Sequence, residues 1–137
     1  MSNLDTVQSL YEAFGRGDIP TILGHLADDV AWHQFDDNTA IAAGVPWLAP
    51  RTGVAGATEF FTAIGGRDLE ITNFQVLALL DGGDKVAAEC VVEAKVPGTD
   101  RGYRDEIVHL WSFNDAGQVT RYRQYVDTAK ETAAFTG

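Results

Sequence analysis

A chain of 137 residues, 45% hydrophobic and 22% charged, fits one globular domain over 1–137 and leaves only the last few residues to disorder. Twenty acidic against ten basic residues give a net charge of −10, which repels phosphates and argues against nucleic acid or an anionic membrane as partner. One cysteine, Cys90, excludes an internal disulfide, and the absence of any CxxC or His/Cys cluster excludes a structural zinc site.

The polar start, Met1 to Tyr11, is unlike a signal peptide, and no apolar run approaches the roughly 18 residues of a membrane span. A cytoplasmic protein without metal or cofactor is the expectation.

Residues 3–15 carry Leu4, Val7, Leu10, Tyr11 and Phe14 at helical spacing, with Asn3 as N-cap and Gly15 and Gly17 as the stop. A second helix opens at Asp18, with Pro20 in its first turn and Ile19, Ile22, Leu23 and Leu26 on its apolar side. Asp28-Asp29 breaks it, and Val30 to Phe35 reads as a strand. Residues 36–53 have no period and form a long loop, a type that commonly covers something. Val54 to Ile64 is helical again and ends at Gly65-Gly66. Four strands follow, at Leu69–Leu80, 85–96, 102–113 and Gln118–Val126, separated by turns rich in Gly, Asp and Asn. Helices first and an antiparallel meander after them make the fold class α+β.

Strand parity then selects candidate site residues. Between Tyr103 and Phe113 one face carries Asp105, Ile107, His109, Trp111 and Phe113, so the covered face holds both large aromatics and the histidine. On the last strand the matching inward positions are Tyr122, Gln124 and Val126, while Arg121, Arg123 and Tyr125 face out. Gln34 and Trp32 are inward on the first strand, and His33 lies on the exposed parity. A register slip of one residue reverses the last choice, pairing His33 with His109 and sending Gln34 outward. His25 sits on a polar helix side. The Asp36-Asp37 pair marks the mouth of the pocket as a minor acid/base candidate.

Several phrases resemble one family. Val7-Gln8, Gly17-Asp18 and Leu26 to Trp32 look like the start of a ketosteroid-isomerase-like (SnoaL-like) protein. Val45-Pro46-Trp47 and Arg51 to Val54 resemble that family's loop into its third helix, and Ser112 to Val119 with Arg123 to Asp127 its terminal hairpin. The resemblance covers about residues 5–135. It implies a cone-shaped α+β barrel of the nuclear-transport-factor-like superfamily, with three N-terminal helices packed on a strongly curved, mainly antiparallel sheet. It also implies a homodimer.

Steroid isomerases of this fold use an aspartate base with a tyrosine and a protonated aspartate as oxyanion donors. The corresponding positions read Gln34, Leu10 and His109, so that mechanism is not expected. The Asp–Arg–Asp set of the family's epoxide hydrolases falls at Val92, Cys90 and Gln124, which disfavours epoxide hydrolysis as well. Polyketide cyclases of the family match best at His109, but the acid expected on the last strand is replaced by Gln124 or Tyr122.

The resulting site has His109, Gln34, Gln124 and Tyr122 as the polar, candidate catalytic groups. Trp32, Trp111, Phe14, Leu10, Cys90, Val92 and Trp47 form the ligand-binding wall, and no metal is involved. Two functions follow: isomerase- or cyclase-type proton transfer on a small apolar carbonyl compound with His109 as acid/base, or a non-catalytic module holding such a molecule. A third reading, a partner-binding domain, would use the outer face of the sheet.

Overall fold

The computed structural model describes residues Met1 to Gly137. Helix α1 (Asn3–Gly15) is capped by Ser2, not Asn3. The Ser2 hydroxyl accepts from the Asp5 amide and the Asp5 carboxylate accepts from the Ser2 amide, a reciprocal cap that satisfies two otherwise free donors. Helix α2 (Ile19–Leu23) starts at its cap Asp18, which accepts from the Thr21 amide.

That helix stops at Gly24, so Leu26 opens strand β1 (Leu26–Trp32) instead of closing the helical face. Leu26 pairs there with Val119 in parallel, and long-range pairing overrides the local helical spacing. The strand therefore begins before Asp28-Asp29 and ends at Trp32 rather than Phe35.

The expected loop 36–53 is partly ordered into helix α3 (Thr39–Ala42), capped by Asn38, a 3-10 turn at Pro46–Leu48 and the short strand β2 (Arg51–Thr52). Helix α4 (Gly53–Ile64) follows at once. Gly53 has φ +77°, and a Cβ there would stand 3.2 Å from the Asp28 carbonyl, so this entry suits glycine.

Strands β3 (Glu70–Asp81), β4 (Lys85–Lys95), β5 (Gly102–Phe113) and β6 (Val119–Tyr125) lie close to their expected bounds. The sheet order is β2-β1-β6-β5-β4-β3, antiparallel except where β1 meets β6. Register between β4 and β5 runs unbroken from Lys85↔Ser112 to Lys95↔Gly102, whereas β3, at the sheet edge, shifts twice, between Ile71 and Asn73 and between Val76 and Ala78.

The last residues are not a loose tail but helix α5 (Thr128–Thr136), capped by Asp127. Arg101 fastens it by donating to the carbonyls of Ala134 and Phe135 at 2.8 and 2.9 Å. The protein is thus a mixed α+β barrel with five α-helices, two more than the three N-terminal ones expected. Its core falls into two parts. One gathers Trp32, Trp111 and Phe113 beneath α1, α2 and α4; the other gathers Trp47, Cys90 and Ile107 near α3 and α5. Leu77, Leu80, Val108 and Tyr125 remain exposed on the opposite side of the sheet.

Candidate functional site: an apolar cavity with a histidine strip

The inner face of the sheet and helices α1, α2 and α4 enclose a cavity with about 630 Å³ of empty space, counting its solvent-open mouth. Nineteen residues line it, and none is Asp, Glu, Lys or Arg, so a charged ligand would find no counter-ion in the wall. A surface depression between the end of α1, the Gly65-Gly66 turn and β3 shares Tyr11, Phe14, Ile64, Ile71 and Phe74 with the cavity, and this shared lining makes it the mouth. Asp36 and Asp37, expected at the mouth, are exposed elsewhere and line neither.

A strip of polar groups runs along one wall. Trp111 Nε1 donates to the Tyr11 hydroxyl at 2.9 Å, and that hydroxyl lies 2.7 Å from His109 Nδ1. Because a phenol is a stronger acid than an imidazole N–H, donation from the Tyr11 hydroxyl to His109 is favoured. The His109 proton then sits on Nε2. Gln124 stands directly across from His109 in the β5–β6 register, and its amide nitrogen lies 2.9 Å from His33 Nε2. Burial lowers the His109 pKa to about 3, against a smaller opposing effect of Gln124. The ring is therefore neutral across the ordinary pH range. Burial likewise holds the Tyr11 and Tyr122 hydroxyls well above the usual tyrosine value.

His33 corrects the parity reading. It is 1% exposed, and its φ of +55° is left-handed, which costs a non-glycine residue about 1–3 kcal/mol. This turn, just beyond the end of β1, breaks strand alternation, so Trp32 and His33 are both buried and Gln34 swings outward. Gln34 is exposed and donates to the Arg51 carbonyl and the Thr52 hydroxyl, tying the β1–β2 edge at 3.0 and 2.7 Å. Its amide is thus outside the cavity. Burial, then the nearby His109 and Arg51, push the His33 pKa well below its usual value, and Nδ1 is left buried without a hydrogen bond.

A second polar cluster sits behind the wall near α5. Trp47 Nε1 donates to the Glu131 carboxyl at 2.8 Å, and Asp105 accepts from the Asp127 amide at 3.0 Å. Burial first, and then the neighbouring Asp105 carboxyl, push the Glu131 pKa up to about 8. Burial and Glu131 also raise the pKa of Tyr103, which lines the cavity beside Trp47. Strand parity puts Asp105 inward, but nothing in the sequence marks Glu131, whose helix shows no strong apolar pattern.

Leu10, Phe14, Trp32, Trp47, Val92, His109, Trp111, Tyr122 and Gln124 all line the cavity. Cys90 does not; it is buried behind Tyr11, and burial pushes its thiol up to about 12. Tyr11 is a cavity residue outside the expected set and stands next to Leu10. Leu10 and Tyr11 both reach the cavity, since adjacent helical residues diverge by only about 100°. A tyrosine on an apolar helix face was the available signal, because a buried phenol needs a partner. No three His, Cys, Asp or Glu side chains are grouped to hold a metal, and no helix is long and apolar enough to cross a membrane.

The curved sheet and the helices folded round an apolar cavity make the fold that solved NTF2-like proteins share. The pattern of the SnoaL-like domain matches residues 7–122, and the chain belongs to that family. Among solved structures, an NTF2-like protein of Burkholderia xenovorans LB400 is similar with a TM-score of 0.81 and 22% identity, over 99% of this chain and 98% of that one. An NTF2-like protein of Burkholderia thailandensis E264 is similar at 0.83 and 20%, over 100% and 99%. TerC, co-crystallised with polyporic acid, is similar at 0.73 and 24%, over 98% of each chain. Likeness at this identity shows the fold. No curated protein matches the chain.

Proposed function

We propose that the protein binds a small, uncharged, largely apolar molecule in the barrel cavity and orients it by one oxygen function against His109. The observation that carries this reading is the wall itself: apolar and aromatic side chains, no charged group, and one strip of neutral polar groups at His109 and Gln124. Such a lining is the usual composition of small-molecule sites. The similarity to TerC adds support, since that relative was crystallised with an organic ligand.

The test is calorimetric titration with 1-acetylnaphthalene, whose bicyclic ring and carbonyl suit this lining. Saturable binding that weakens in Phe74→Arg, a charge placed at the mouth, is expected. Absence of binding by every neutral aromatic ketone tried would overturn the reading.

A second reading is proton transfer of the isomerase or cyclase type with His109 as acid/base, favoured by the ring's contact with an ionisable phenol at 2.7 Å. It predicts that the protein accelerates deuterium exchange into the methyl group of 1-acetylnaphthalene in D2O and that His109→Gln abolishes the acceleration. A pKa of about 3 makes His109 a weak base, so binding without turnover is the stronger expectation.

The exposed apolar side of the sheet supports a homodimer in which a second copy covers Leu77, Leu80, Val108 and Tyr125. Leu80→Asp should then convert the dimer to a monomer in sedimentation; a wild-type chain that sediments as a monomer would remove the dimer.

A further inference from the structure

His109 and Gln124 each spend one nitrogen on a fixed neighbour. His109 Nδ1 is taken by Tyr11, and the Gln124 amide nitrogen by His33. What remains is the second nitrogen of His109 and the amide oxygen of Gln124, which face each other across the strand pair, so that Gln124 acts on His109 as a hydrogen-bond acceptor, and a ligand would take up the two atoms by inserting between them. The two residues are register partners on β5 and β6, and both line the cavity.

The direction of each bond sets the character of the free atoms. The phenol is a stronger acid than an imidazole N–H, which favours donation from the Tyr11 hydroxyl to His109 Nδ1 and so places the imidazole proton on Nε2 as a donor. His33 Nε2 receives the Gln124 amide hydrogen, which turns the amide oxygen, an acceptor, toward His109.

We infer that His109 and Gln124 form a two-point edge for a ligand that carries an acceptor and a donor side by side, such as a carboxamide, and that His33 is the positioning residue that fixes the Gln124 amide. The conformation of His33 fits this role. Its left-handed backbone and its unpaired buried Nδ1 are both unfavourable, and the contact they serve is the one to Gln124. The inference rests on the proposed binding role of the cavity and narrows its ligand class.

The experiment compares 1-naphthamide with 1-acetylnaphthalene, two neutral molecules of nearly the same shape, of which only the amide adds a donor. Wild-type protein should bind the amide about three- to tenfold more tightly, the range a well-placed neutral hydrogen bond supplies. His33→Asn, a residue that tolerates left-handed backbone, should bring the ratio close to one while leaving the ketone affinity unchanged. A general structural defect would weaken both. Gln124→Met keeps the side-chain length, should likewise bring the ratio of the two affinities close to one whatever it does to each, and decides the matter if His33→Asn does not fold.

Equal wild-type affinities for both probes would overturn the two-point edge and leave the binding function standing. An undiminished preference in folded His33→Asn would overturn the role of His33. Failure of both probes to bind would remove the binding function and the edge with it.

Discussion

The two polar clusters around the cavity carry opposite electrostatic logic. The histidine strip is a row of bases kept neutral by burial, whereas the cluster at α5 is a carboxyl kept protonated by burial beside a second acid. Both reduce charge in the interior, and they do so from opposite sides of the pH scale. One strip faces the cavity directly and the other stands behind Trp47 and Tyr103. The first carries the proposed contact with a ligand, and the second holds a helix on the barrel.

The largest effect that tests this division is expected from Trp47→Ala. It empties a fully buried site and strips Glu131 of its donor, so a loss of about 3–5 kcal/mol should appear in urea denaturation. Next comes the pH dependence. Glu131 has a folded pKa of about 8 against 4.5 unfolded, so the stability from its retained proton is full below pH 4.5 and is lost as pH rises through 8. His109 has a folded pKa of about 3 against 6.5, so its contribution is full above pH 6.5 and is lost as pH falls toward 3. Denaturation midpoints from pH 4 to 9 should show both limbs. Glu131→Gln should flatten the alkaline limb only, and His109→Phe the acid limb only; a shared response would merge the two clusters.

A smaller loss, about 1–3 kcal/mol, is expected for Tyr11→Phe, which leaves His109 Nδ1 and Trp111 Nε1 unpaired. The smallest belongs to Gln34→Ala. Its exposed amide spans a strand edge, so stability should change by about 0.5 kcal/mol or less and ketone affinity not at all.

The comparison also explains what could be read from the chain. His109, Trp111, Tyr122 and Gln124 follow from alternation along β5 and β6, which holds because those strands are regular over that stretch. Alternation fails at His33, where one left-handed residue turns two consecutive side chains inward. Such a torsion angle leaves no mark on composition or period. Tyr11 lies on the apolar face that helical spacing defines, beside Leu10, and both reach the cavity. Glu131 belongs to a short helix whose stability comes from docking, through Asp127, Arg101 and Trp47, rather than from its own sequence pattern.

The two register shifts in β3 matter for solubility as well as for shape. A twelve-residue strand at the rim of a sheet, bearing Val76, Leu77 and Leu80 partly open to water, is the kind of segment that recruits further strands into aggregates. Each bulge puts one residue out of step, so an incoming chain cannot pair along the whole rim without a matching defect. Straightening the strand by deleting Leu77 should therefore show first as fibril growth at high concentration, before any change inside the barrel.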